Sequence, residues 1–206
     1  MDMTQKLDVL GTIRDGVEIG RRNIGPIIIN VVLWALTCWI PYLNVGTTIG
    51  LFVGIVLKAS KGEAISSTEI FNPHYRKYLG EFFLTSGFIF IGVLIGIIFG
   101  IIPGLVIQLA WSLSLLLLIE RGINPTEAIT LSNKYTYGYK WRMFAIRFLT
   151  GLAFAIVISV LSLIPIMGSL IGFCLSLILI FVNIGISASI YQQLTGVAET
   201  SEPLTV

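Results

Sequence analysis

Asn30, Lys58, Gln108, Glu120, Arg147 and Asn183 are amide and charged side chains lying within, or at the ends of, long apolar stretches of this 206-residue chain. Acid, base or nucleophilic catalysis needs positioned ionisable groups. No charge falls in the middle of an apolar stretch, and the sequence shows no carboxylate pair there, no histidine cluster, no phosphate-binding glycine loop and no Ser/His arrangement. The chain is therefore not expected to be an enzyme, and no catalytic, cofactor-binding or metal-binding residue is assigned. His74 is the single histidine; without a Cys, Asp or second His nearby, it reads as a surface residue. In apolar surroundings an amide or a charge can still bind something. It can line a polar path or bond one helix to another.

Counting from three prolines gives these groups a depth. Lys58 is 17 residues past Pro41, Glu120 is 17 past Pro103, Asn183 is 18 past Pro165, and Arg147 is 18 before Pro165. At a helical rise of 1.5 Å per residue, each lies about 25–27 Å from its proline. One account is a polar ring at the mouth of a helix bundle, with Glu120 paired to Arg147. The other is that they mark the membrane interface, where Lys and Arg extend toward headgroups. Gln108, five residues past Pro103, and Asn30 are candidates for a polar path or for an interhelical hydrogen bond.

The elements that carry them are membrane spans. Hydrophobic residues make up 55 % of the chain and charged residues 12 %, about half the charge of a soluble protein; the mean hydropathy is +0.92. From Phe82 to Ile119, 38 residues pass without a charge, close to two crossings at about 20 residues each. The chain should double back at Gly100–Gly104. Ile40-Pro41, Ile102-Pro103 and Ile164-Pro165 recur 62 residues apart. A threefold repeat would leave this register, and so would unrelated spans of similar length. The expected fold is an all-α integral membrane protein with six transmembrane helices as three hairpins turning at Pro41, Pro103 and Pro165. The spans run over about 24–40, 45–57, 82–102, 103–119, 143–164 and 166–191. Gly46, Gly50 and Gly54 form a stripe on which a helix could pack closely. Cys38 and Cys174 fall in apolar segments and read as packing groups, as do the serines there, Ser112 and Ser187 among them.

Three parts flank or join the spans. Residues 1–23 hold an amphipathic helix over 4–19 with Thr4 as cap, its stripe being Leu7, Leu10, Ile13 and Val17; it lies in the headgroup plane or packs under the bundle. The membrane domain covers 24–192, with polar loops at 58–81 and 120–142. In the first loop, Ser66 and Glu69 form a capping-box pattern opening a short helix that Asn72-Pro73 ends. In the second, Asn124-Pro125-Thr126-Glu127 predicts a helix start, with Tyr135 near the helix end and Gly138 as the stop. Tyr135, Tyr137, Tyr139 and Trp141 suit a headgroup layer. Residues 193–206 read as a disordered cytoplasmic tail.

All 13 Lys and Arg residues avoid the three proline turns. The positive-inside rule then puts both termini and both loops in the cytoplasm, in a multi-pass protein of the cell inner membrane. Asp2, Lys6, Asp8, Arg14 and Asp15 precede any apolar core, which argues against a cleaved signal peptide. A net charge of +2 and the lack of a basic, aromatic-interleaved stretch point away from nucleic acid. The partners expected are membrane lipids, with other membrane subunits or self-association as further possibilities.

Pro103-Gly104 and Ser112, followed by Glu120, Gly122, Pro125, Glu127-Ala128, Ser132, Gly138 and Trp141, keep an order that resembles the YciC-like bacterial membrane proteins and the related membrane domain of some glycerophosphoryl diester phosphodiesterases. Ile40 to Gly46, with Lys61-Gly62-Glu63, resembles the earlier part of that pattern. The resemblance covers about half of the chain and implies a six-span membrane domain without an assigned activity; the phosphodiesterase activity does not carry over with it. For function the expectation is transport or lipid handling of a small or amphiphilic molecule. The alternative is a structural or accessory subunit of a larger membrane complex.

Overall fold

The structure is a computed structural model that describes residues 7–161 and 167–199. These are helical, with no strand among them. The order is α1 (Val9–Arg22), α2 (Ile24–Thr37), α3 (Pro41–Ile49), a π-helical segment (Gly50–Gly54), α4 (Ile55–Lys61), a 3-10 turn (Glu69–Phe71), α5 (His74–Lys77), α6 (Leu79–Phe99), α7 (Ile101–Ala110), α8 (Ser114–Arg121), α9 (Pro125–Thr136), α10 (Lys140–Leu161) and α11 (Met167–Glu199).

Five stretches are long and apolar enough to cross a membrane: Pro41–Lys61, α6, Ile101–Arg121, α10 and Leu177–Gly196 within α11. At 14 residues, α2 is shorter, about 21 Å at the usual rise. Burial sorts the stretches into two layers. In an 18-residue apolar window of Pro41–Lys61, 67 % of the residues are buried, against 11 % in the corresponding windows of α6 and α10. Thus α3–α4, α7–α8 and α11 form the interior, with α2, α6 and α10 outside, where Phe88, Phe90, Ile98 and Val160 are exposed. An apolar outer surface of this kind belongs to a membrane-embedded helical protein.

The prolines mark helix starts. Pro41 is the first residue of α3. The break between α6 and α7 falls at Gly100, whose φ of 144° suits glycine, and Pro103 sits in the first turn of α7. A missing N–H costs nothing there, because the first four helical N–H groups have no intrahelical acceptor. Gly96 meets Gly104 and Gly92 meets the Trp111 ring, so α6 and α7 lie together in opposite chain directions. Pro165 lies outside the described residues.

Several expectations are corrected. The first helix starts at Asp8, whose carboxylate accepts from the N–H of Gly11 (2.7 Å), with Thr4 outside the described residues. Of its apolar stripe, Leu7 is buried while Leu10 and Val17 are exposed, which is compatible with the headgroup-plane alternative, and Thr12, Gly16 and Gly20 are buried on the helix. The capping box does not form, because the Glu69 side chain turns inward. Asn72-Pro73 does end the short 3-10 turn Glu69–Phe71, as expected, and it also opens α5, with the Asn72 side chain accepting from the N–H of His74 (3.0 Å). The fourth span is broken at Trp111–Leu113. Residues 192–199 continue α11, and Leu194 and Thr195 are buried. The start of α9 is as expected: Asn124 caps it by accepting from the N–H of Glu127 (2.9 Å), and Gly138 follows with φ +83°.

The amphipathic segments pack on the inner helices in a regular order. Residues 70–76 cover the glycine stripe of α3 and the π segment, with Ile70 over Gly50, Tyr75 over Gly54 and Arg76 over Gly46. α9 covers the break between α7 and α8. There the Ser132 hydroxyl donates to the carbonyl of Ala110 (2.7 Å) and accepts from the N–H of Leu113 (3.1 Å). α1 covers α11, with Gly16 against Ile186 and Gly20 against Phe181. Each segment thus packs on the inner helix that precedes it in the chain, and α1 closes the ring on the last.

A Cβ on Gly50 would lie 2.6 Å from the Ile70 backbone, whereas one on Gly87 meets nothing within 4 Å. Gly50→Ala is therefore expected to destabilise by about 1–3 kcal/mol, the usual cost of overpacking, read as a lower melting midpoint in detergent. Gly87→Ala should leave the midpoint unchanged or raise it.

Candidate functional site

Each polar residue singled out in the sequence can now be placed. Asn30 on α2 is fully buried. Its amide nitrogen donates to the carbonyls of Ser66 and Pro26 (both 2.8 Å), and its oxygen accepts from the N–H of Ile70 (3.1 Å). It is a clamp holding the 66–71 segment against α2.

Lys58 reaches the same segment. Its ammonium meets the Glu69 carboxylate at 2.7 Å, which also accepts from the Tyr75 hydroxyl (2.7 Å) and the Asn72 amide (3.3 Å). Glu69 is 2 % exposed. Burial pushes its carboxyl upward, but the donors from Lys58, Tyr75 and Asn72 outweigh that and hold it below the ordinary range. Burial and the neighbouring carboxylate raise the Tyr75 hydroxyl well above its ordinary value. A buried carboxylate with three donors is a structural lock.

Glu120 does not pair with Arg147. One oxygen meets the Lys61 ammonium at 2.8 Å and the other accepts from the Tyr191 hydroxyl. The depth count placed Glu120 and Arg147 at one level but not on facing sides. Lys61, Glu120 and Tyr191 end α4, end α8 and lie on α11, so this cluster ties the three inner helices together. Lys61 and Arg121 are followed by Gly62 and Gly122, which close α4 and α8 with φ of +68° and +64°.

Arg147, on the third turn of α10, opens onto a cavity of about 210 Å³. Thr48, Phe52, Val53 and Val56 line it from the first inner helix, Phe82 from α6, Ser112, Leu113, Leu115 and Leu116 from the α7–α8 break, and Ser187 and Ile190 from α11. The Arg147 side chain is exposed, and its guanidinium has no hydrogen-bond or ion-pair partner among the described residues. A second cavity, of about 290 Å³, adjoins the first by sharing Phe52, Val56 and Ser187, and extends along Leu179, Ile180 and Ile184 to Asn183. The Asn183 amide nitrogen is bonded to the carbonyl of Leu179 (2.8 Å).

Gln108 is exposed on α7, and its amide has no partner among the described residues. A larger cleft of about 530 Å³ lies along the edge of the α1–α11 contact, where Asp8 caps α1 and Glu18 pairs with Arg22. Among the described residues no group of three His, Cys, Asp or Glu side chains could hold a metal.

Of the six groups, then, Arg147 and Asn183 face connected cavities, Asn30, Lys58 and Glu120 fasten elements together, and Gln108 faces outward. Ser112 and Ser187 had read as packing positions, and only the break between α7 and α8 turns Ser112 to the cavity. Glu69 and Tyr75 had no signal beyond their spacing, since nothing local tells a buried loop carboxylate from a solvated one. No family model, curated protein or solved structure matches the chain.

Replacing Asn30 by Leu leaves the Ile70 N–H and the Ser66 carbonyl buried without their partner. A lost partner of this kind costs about 1–3 kcal/mol. Hydrogen exchange at Ile70 should accelerate by roughly tenfold or more. Unchanged exchange would mean that the segment is held by other contacts.

Proposed function

We propose that the protein is a multi-pass inner-membrane protein that handles a small or amphiphilic molecule, by transport or by carrying a lipid, in the cavities between its helices. The observation that carries this reading is the cavity beside Arg147. It draws its lining from the three inner helices, α6 and α10, and sets one unpaired cation and the hydroxyls of Thr48, Ser112 and Ser187 in an apolar wall. A chain built only to pack would fill such a space.

The proposal includes six crossings arranged as three hairpins, with both termini cytoplasmic. Parity supports it. The Thr12 hydroxyl lies 3.3 Å from the Gln193 side chain, which brings the start of α1 beside the end of α11. An even number of crossings accords with that contact, and the short α2 would supply the sixth. The distribution of Lys and Arg supports the cytoplasm as that side. This layout agrees with the six-span domain implied by the resemblance to the YciC-like proteins.

Gln108 favours a second reading, an accessory subunit. An amide facing hydrocarbon without a partner costs several kcal/mol, and a polar group on another membrane chain would satisfy it. Under that reading Gln108→Leu releases a stoichiometric partner in mild detergent.

Reconstitution decides between them. Proteoliposomes containing the protein should move a fluorescent phospholipid between leaflets faster than protein-free vesicles. Ser187→Leu, which fills the junction of the two cavities, should cut the rate by about tenfold with the melting midpoint unchanged. A rate equal to that of empty vesicles would remove lipid transport, and an unaltered rate in the variant would remove the cavity.

A further inference from the structure

We propose that the two connected cavities form a binding site for one phospholipid of net negative charge, with its headgroup phosphate on Arg147 and part of an acyl chain toward Asn183. This rests on the membrane reading above and names the ligand class of the same cavities.

Three observations carry the assignment. The first is the isolated guanidinium. Arg147 has no carboxylate, carbonyl or hydroxyl partner among the described residues, although Lys58 and Lys61 are paired with Glu69 and Glu120. A cation left unpaired beside an apolar cavity in a membrane protein calls for an anion from outside the chain. A phosphodiester offers oxygens that suit the planar donor fork of a guanidinium.

The second is depth. Trp141 at the start of α10 and Tyr137 just before it are exposed, and aromatic rings of this kind suit the headgroup layer. Arg147 lies six residues further along the helix, about 9 Å deeper. A phosphate that reaches it has left the ordinary headgroup plane, which distinguishes a bound lipid from one of the surrounding bilayer.

The third is the composition of the walls. The two linings together hold one formal charge, that of Arg147, and no carboxylate. A zwitterionic headgroup would bring an ammonium for which the lining has no anion. A headgroup whose sole charge is its phosphate leaves nothing unpaired; the Ser112 and Thr48 hydroxyls already donate to the carbonyl of Leu109 and to the Asn44 side chain (both 2.9 Å), so they add no donor for a second charged group. The adjoining walls of Leu179, Ile180 and Ile184 take hydrocarbon, so a soluble phosphate would leave them empty.

The test is native mass spectrometry of the full chain, released from nanodiscs of mixed phosphatidylglycerol and phosphatidylcholine. The wild type should retain one phosphatidylglycerol in clear excess over phosphatidylcholine. Arg147→Gln should lose that excess by about tenfold or more, the scale of a charge-assisted contact. Arg147→Lys should keep part of it, and Lys77→Gln, which removes an exposed cation elsewhere, should keep all of it. Melting midpoints of the variants separate lost binding from lost folding. Equal retention of both lipids by the wild type, an unchanged preference in a folded Arg147→Gln, or displacement of the lipid by inorganic phosphate alone would each overturn the proposal. Because lipid movement between leaflets is not read here, a bound lipid with no flux would refute the transport reading and leave the site intact.

Discussion

A membrane interior has no water to satisfy a loose peptide group, so every irregularity in a spanning helix must be closed by the protein itself. This constraint accounts for the placing of the polar segments. The inner helices are imperfect at their centres. One carries the π-helical segment Gly50–Gly54, and another breaks at Trp111–Leu113. At the break, α9 supplies the hydroxyl of Ser132 to both the carbonyl of Ala110 and the N–H of Leu113, and Thr136 adds a second contact to Ala110 (3.2 Å). At the π segment, Gly50 lets the Ile70 backbone and Gly54 the Tyr75 ring come into contact, and Gly46, just before it on α3, does the same for the Arg76 side chain. Parts of the two polar loops are thus buried against the inner helices, Ile70, Tyr75, Ala128 and Ser132 among them.

The same principle orders the whole chain. Each unit consists of an amphipathic segment, an outer helix and an inner helix, and its amphipathic segment packs on the inner helix of the unit before it. The first unit has no predecessor, and α1 packs on α11 of the last. The contact uses glycines on both sides, Gly16 and Gly20 on α1 and Gly185 on α11. Pro41 and Pro103, 62 residues apart, fit this arrangement at the starts of inner helices. Lys61, Glu120 and Tyr191 then join those inner helices in one polar cluster, and the cavity beneath Arg147 lies among them.

Local rules were legible where one residue type has one strong use. Asn124-Pro125-Glu127 gave the start of α9 because a cap, a fixed φ and an acid in the first turn agree. The segregation of Lys and Arg and the uncharged run from Phe82 to Ile119 gave the membrane class for similar reasons. The depth count failed to give contacts because it treats helices as straight rods and says nothing of direction around them. It set Glu120 beside Arg147, while the structure gives Glu120 to Lys61 and leaves Arg147 to the cavity. Asn30 was illegible for another reason: its partners, Ser66 and Ile70, lie 36 and 40 residues away and are backbone groups that carry no residue-specific signal. The break at Trp111–Leu113 was hidden in an apolar run, since the residue that stabilises it, Ser132, lies in a different element.

The central claim is that α1 closes the ring on α11, with the chain crossing the membrane an even number of times between them. Paired cysteines test it most directly. In a background lacking Cys38 and Cys174, Thr12→Cys and Gln193→Cys should be joined by a short bis-thiol reagent within a single chain. Both should also react with a membrane-impermeant thiol reagent from the cytoplasmic side and from no other. Labelling of the two positions from opposite faces of intact membranes, or the absence of any intramolecular cross-link, would contradict the account.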